Sequence, residues 1–339
     1  MGQEQRRRVN VCGLGGLALG LVIAALPLHA MAGARIVENL FGVIRAGTGP
    51  VFTVGQFGAA YRSDDGGVSW VAQKTPTTED LFSVDFGDAE HGVIVGRSGV
   101  VLTTGDGGST WEARKSPVAH NLFAVRFAGP KHVFAVGDWG TVIESSDSGA
   151  SWKDRTLDED VVLTSLSWPT PEFGVIAGEF GTVLVSHDAG ASWQKQTTGT
   201  DKTLFGVDFR DEKTGWIVGM DGFIGGTQDG GVSWQAQRGS FEMQALETLG
   251  VMDAIQNPGF YDVAAAGKGA VVVGDLGHVL VSRDGVNWQE RRLPGERSLS
   301  WMRGVAAWPD GALVVGAGGL AIVLQGPELK IRKAVPAAP

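Results

Sequence analysis

Six aspartates recur where carboxylate chemistry could be built: Asp65, Asp106, Asp147, Asp188, Asp229 and Asp284. Each is preceded two residues earlier by Ser or Thr and followed by a tryptophan, namely Trp70, Trp111, Trp152, Trp193, Trp234 and Trp288. A ring of carboxylates could hold a cation or exchange protons, but one site does not need six copies. The same stretch also reads as a turn. The Asp side chain accepts from its own turn's amides, a glycine supplies positive φ, and the indole staples the hairpin to its sheet. Repeat proteins duplicate structure more readily than sites, so these twelve residues are assigned a structural role.

Other reactive types are sparse. Tyr61 and Tyr261 are the only tyrosines, and Cys12 is the only cysteine. His91, His120, His132, His187 and His278 show no ligand spacing. Gly105-Asp106-Gly107-Gly108 reads as a hairpin turn, because no phosphate-binding helix follows it. No catalytic group, metal or cofactor is expected.

The elements that carry these residues follow a repeat of 41 residues. The first five tryptophans keep that step. So do Gly55, Gly96, Gly137, Gly178 and Gly219, and likewise Leu40, Leu81, Leu122, Leu163 and Leu204. An insertion near 239–259 then stretches the pattern, which resumes at Gly274 and Gly316. Each copy reads as four short strands: a Leu-Phe-small-Val strand, a β-branched run ending in glycine, a third strand such as Thr182–Ser186, and a fourth opened by the tryptophan. Small residues recur in the first strand at Gly42, Ser83, Ala124, Ser165, Gly206, Asp262 and Gly304, as crowding at a central axis would require. The predicted fold is all-β, a closed seven-bladed β-propeller of four-stranded antiparallel blades over residues 33–335, of the sialidase-like Asp-box type.

The motif S/T-x-D-x-G-x-S/T-W is the Asp box, or bacterial neuraminidase repeat. With V-G-x-x-G ahead of it, the blade resembles that of the photosystem II stability/assembly factor family over residues 39–325. The resemblance implies a non-enzymatic assembly scaffold on the non-cytoplasmic side of a membrane, offering an arginine-rich patch to a membrane-protein client. The alternative is a sialidase-like glycoside hydrolase or a glycan-binding propeller. A sialidase needs a tyrosine nucleophile, an arginine triad and an aspartate acid/base. Its Phe/Tyr-Arg-Ile-Pro signature is absent, Ile44-Arg45-Ala46 being the nearest approach, and Tyr61 reads as a packing residue.

Arg6-Arg7-Arg8, an apolar stretch over 11–28 and an Ala30-Met31-Ala32 exit form a secretory leader over residues 1–32, cleaved or retained as an anchor. The rest is expected to be periplasmic or otherwise extracytoplasmic. With 28 Lys and Arg against 37 Asp and Glu, the chain carries a formal charge of −9. That excludes general nucleic-acid binding, which rests on phosphate neutralisation. The expected partner is an extracytoplasmic protein, an integral membrane protein or complex.

A binding face is predicted from what varies within the repeat. The positions after the second-strand glycine lie opposite the Asp boxes and differ from blade to blade. They include Phe57, Arg97, Asp138, Trp139, Glu179, Phe180, Asp221, Asp275 and Leu276, and Arg303 is expected beside them. Large apolar groups on short loops suit interface anchors. Arg97, Arg297 and Arg303 would supply the basic part of the face, while Asp138, Glu179, Asp221 and Asp275 make much of it acidic and favour a basic or apolar partner. In the insertion, Ser240 is read as the N-cap of an amphipathic helix over 241–249, with Met243 and Met252 as adaptable apolar surface.

Overall fold

The computed structural model describes residues 36–335 except 238, 241–257, 292–299 and 327. The leader, the helix expected at 241–249, Met243, Met252 and Arg297 lie outside the described residues. The described chain forms seven sheets, each built on four antiparallel strands in chain order from the inside out. The innermost strands are Leu40–Arg45, Leu81–Phe86, Leu122–Phe127, Leu163–Ser167, Leu204–Phe209, Phe260–Ala266 and Met302–Trp308, and they head blades 1 to 7.

The second strand of every blade is buried along its whole length, from Val51–Gly55 in blade 1 to Gly311–Gly316 in blade 7. That is why these runs are continuously apolar: both sheet faces pack against neighbouring blades, and a strand covered twice has no polar side to alternate with. The fourth strands of blades 1 to 5 are two or three residues long and mostly exposed, and those of blades 2 to 5 are mainly polar, which blunts the outer edges against pairing with other chains. Blade 6 differs. Gly239–Ser240 adds a short fifth strand, parallel to Trp288–Glu290. Ser240, read from the sequence as a helix N-cap, closes this strand; N-cap backbone is itself extended, and the helix it would cap lies outside the described residues.

The ring closes between the last blade and the first. Leu313, Val315, Ala321 and Val323 of blade 7 pack with Leu40, Val43, Val51, Tyr61 and Trp70 of blade 1. The amide of Gly318 donates to Asn39 Oδ1 at 2.8 Å across the same seam. The small residues of the inner strands earn their place here. A Cβ on Gly42 would stand 2.7 Å from the Phe82 carbonyl oxygen, and one on Gly304 2.8 Å from that of Phe41. Ser83 and Ser165 put a hydroxyl into this space and accept the amides of Val125 and Val207 in the next blade. Asp262 is the exception to the small-residue reading: its carboxylate accepts Val305 N–H of blade 7 at 2.9 Å.

The Asp boxes act as staples, and they reach beyond their own hairpins. In blade 1, Ser63 Oγ donates to Asp65 Oδ1 (2.8 Å) and accepts Gly67 N–H, while Ser69 donates its amide and hydroxyl to the two Asp65 oxygens (2.8 and 2.6 Å). Asp106, Asp147, Asp188 and Asp229 repeat the pattern, and Asp284 does so with Asn287. These bonds hold Asp106 and Asp188 down at about 2, with the Thr110 and Ser192 hydroxyls as the largest causes. The tightly turned glycine then lies against the previous blade. Gly108 meets Phe52, Gly190 meets Phe134, and Gly285 meets Trp216, whose indole N–H donates to the Gly285 carbonyl at 2.8 Å.

Candidate functional site

On the face opposite the Asp boxes the ring opens into a cavity of about 460 Å³ on its axis. A shared irregularity shapes its wall. In all seven blades the register of the innermost strand shifts around its second residue, as a β-bulge. A bulge adds one residue to a strand and re-aims its side chain. The residues so placed are Phe41, Phe82, Phe123, Thr164, Phe205, Tyr261 and Arg303, and every one lines the cavity. They form an aromatic collar: Phe123 lies 5.5 Å from Phe82, Phe82 5.7 Å from Phe41, and Phe41 6.1 Å from Trp301. On the other side Phe205 lies 5.3 Å from Tyr261, and the Arg303 guanidinium sits 4.6 Å over the Tyr261 ring. Thr164, whose hydroxyl donates to the Leu204 carbonyl at 2.6 Å, leaves a gap in the collar at blade 4.

The sequence-predicted residues divide between this mouth and the surface around it. Arg97, Glu179 and Arg303 line the cavity. Asp275 stands behind it, accepting the Tyr261 hydroxyl at 2.8 Å and the Gly259 amide at 3.1 Å. Burial and that bond push the Tyr261 phenol up to about 12. Phe57, Asp138, Trp139, Phe180, Asp221 and Leu276 do not line the cavity. Each of the seven rim hairpins has its tip residue, the second after the strand-two glycine, in left-handed backbone, and the residue before the tip reaches the cavity at Gln56, Arg97 and Glu179. Of the rim carboxylates, Asp221 is paired with Lys202, while Glu179 accepts the Val162 amide; the rim's Arg97 is paired with the linker residue Asp80 at 3.1 Å.

A layer of buried and half-buried charge lies among the inner strands. Asp85 accepts Phe127 N–H and Asp208 accepts Ala265 N–H, both at 2.8 Å and both from the next blade. With Asp262 they share one guanidinium, Arg126, at longer range. Burial raises all three carboxyls against the pull of Arg126, Asp262 to about 7. Among the described residues no three His, Cys, Asp or Glu side chains group as a metal site. Tyr61 is a core residue of blade 1, its hydroxyl donating to Glu38 at 2.6 Å, and burial followed by that bond raises its phenol.

The collar escaped the sequence reading, although its signal was present. Two adjacent apolar residues, Leu-Phe, break the alternation a half-buried strand should show. An extra residue in the strand is what that break records.

Comparison with known proteins agrees with this architecture. No curated protein sequence matches the chain. Among solved structures, "YCF48 bound to D1 peptide" superposes with a TM-score of 0.66 at 18% identity, covering 86% of this chain and 93% of that one. YCF48 from Cyanidioschyzon merolae gives 0.66 at 17% identity, covering 87% and 98%. Virginiamycin B lyase from Staphylococcus aureus gives 0.67 at 9% identity, covering 84% and 94%, which shows how widely the ring alone is shared. The family model for the photosynthesis system II assembly factor YCF48 matches residues 62–122, 115–200 and 191–306, most of the propeller, so the chain belongs to the YCF48 family of assembly factors.

Proposed function

We propose that the protein is a non-catalytic scaffold that works outside the cytoplasm and holds an extended segment of a membrane protein in the channel mouth while its complex is assembled. The observation that carries this reading is the collar. Seven bulges spend the innermost positions of the ring on five aromatic side chains, a threonine and an arginine, all facing a shared cavity. Packing alone would be served by small residues there. Aromatic walls with a few placed charges suit a peptide: the rings take up apolar side chains, and Arg303 and Arg97 fix orientation through its polar groups. A YCF48 structure with a D1 peptide bound supports a peptide ligand for the same fold. The leader over 1–32 supports export, with cleavage or retention deciding whether the propeller is free or tethered.

The test is photo-crosslinking from residue 82 or 205 in native membranes, followed by identification of the captured segment. Capture of a membrane-protein segment, reduced about tenfold or more by Arg303→Glu, is expected. Equal capture by the variant, or none by the native protein, would remove the mouth as the site. A glycan-active reading rests on the Tyr261–Asp275 pair beside Arg303. It requires hydrolysis of a glycoside panel that Tyr261→Phe abolishes. A phenol held protonated, with its ring face already covered by the guanidinium, makes a poor nucleophile.

A further inference from the structure

The tips of the rim hairpins have a separate task. Each hairpin joins the second and third strands through a type I′ turn, with positive φ at both central residues and, in blade 1, Ala59 N–H donating to the Gln56 carbonyl. The second central residue is glycine in all seven, and packing explains it. A Cβ on Gly58 would stand 2.1 Å from the Thr77 carbonyl oxygen, and one on Gly181 1.9 Å from that of Thr200. Nothing comparable presses on the first central residue. Turn chemistry there favours Gly, Asn or Asp, and blades 5 and 7 comply with Asp221 and Gly318. Phe57, Trp139 and Phe180 do not. They adopt φ of 57°, 59° and 54° and leave 72%, 58% and 71% of their surface in water. A bulky residue in left-handed backbone is strained, and an exposed ring gains nothing from the fold. Both penalties fall on the same three residues.

We infer that these three aromatic tips insert into the interface of a lipid bilayer and seat the rim face on the membrane. Equivalent hairpins of a closed ring end at one level, so the tips meet a flat partner together. They stand on blades 1, 3 and 4, with Ser98 of blade 2 between the first two, and so form isolated prongs. A protein partner would be better served by one continuous apolar patch with a pocket. A Trp ring favours the headgroup region and Phe rings the headgroup/acyl boundary just beneath it. The chain's own connectivity points the same way. The described chain begins at Ile36, whose carbonyl oxygen lies 2.4 Å from where a Cβ of Gly319 would be, beside the blade 7 tip and on the rim face. Seven residues separate Ile36 from the apolar stretch over 11–28, a reach of at most about 25 Å. Charge selects the lipid. With a formal charge of −9 and Asp138 and Glu179 beside two of the tips, the face suits a neutral, phosphatidylcholine-like surface and is repelled by an anionic one. This inference is independent of whether a peptide occupies the mouth.

The test uses the full chain with Cys12→Ser and a single fluorophore attached through Ser98→Cys at the rim or Ser109→Cys on the Asp-box face. Phosphatidylcholine vesicles carrying a quencher in the acyl region are added. The rim label should be quenched and the Asp-box label should not, and adding phosphatidylserine should weaken the effect. The triple change Phe57→Asn, Trp139→Asn and Phe180→Asn places a favoured turn residue at each tip, so it should fold at least as stably and lose about tenfold or more of the quenching. Rim quenching that survives the triple change would overturn the inference, since the leader alone would then hold the protein at the vesicle. Absence of rim quenching in the native chain, or quenching seen only with protein-containing membranes, would also overturn it; the latter result would give the tips to a protein partner.

Discussion

Replacing Asp262 by asparagine should stabilise the propeller above neutral pH and not in acid. The carboxyl is partly buried on the cavity wall at the seam of blades 6 and 7, with Arg126 as its countercharge and Asp208 as a competing acid, and burial raises it from 3.8 to about 7. A raised acid costs the fold nothing while it is protonated in both states, below about pH 4. The cost grows as pH rises from about 4 to 7 and is complete above 7. A rise of that size corresponds to at most about 4 kcal/mol. Contact with channel water lowers it to about 2–3. Asparagine carries no charge, but it has one acceptor oxygen for two amides, Val263 and Val305, each at 2.9 Å, and losing one bond costs about 1 kcal/mol. The net expectation is a gain of about 1–2 kcal/mol at pH 8, or about 2–6 °C in melting temperature, turning into a small loss at pH 4. Thermal melts followed by circular dichroism from pH 4 to 8 measure both curves. A variant destabilised equally at pH 4 and 8 would refute the reasoning, because it would show that Arg126 keeps Asp262 ionised at no net cost.

The opposite pH sign is expected at the staples. Asp106→Ala should destabilise by about 1–2 kcal/mol at neutral pH through its lost turn bonds, and the difference should vanish as acid titration passes from about pH 4 towards 2, read from parallel melts. Gly304→Val should weaken the closing seam by about 1–3 kcal/mol, because its Cβ meets the Phe41 carbonyl; an unchanged denaturation midpoint would show that the inner strands can spread.

Much of the ring was legible before any coordinates because its constraints are local and repeated. Trp70 and its equivalents mark the outer strands, and Gly55 and its equivalents the rim. What stayed hidden depends on geometry that the alphabet does not spell. Phe82 and Phe205 look like core residues until a bulge turns them to the axis. Asp262 passed for a small side chain, because its partner Val305 is brought near only by closure. The ten rim positions looked like one surface, but only Arg97, Glu179 and Arg303 line the cavity, while Phe57, Trp139, Phe180, Asp221 and Leu276 stand at tips with positive φ.

The seam between first and last blades has a wider consequence. Each blade takes its four core strands from one unbroken stretch of chain, so no strand is exchanged where the circle is completed. The junction there is of the same kind as the other six, a contact of side chains and a few amides. A gene that gained or lost one unit would therefore need no rethreading, only a new angle between neighbours. By the same logic, a permuted molecule whose ends fall in another linker should assemble into the same wheel.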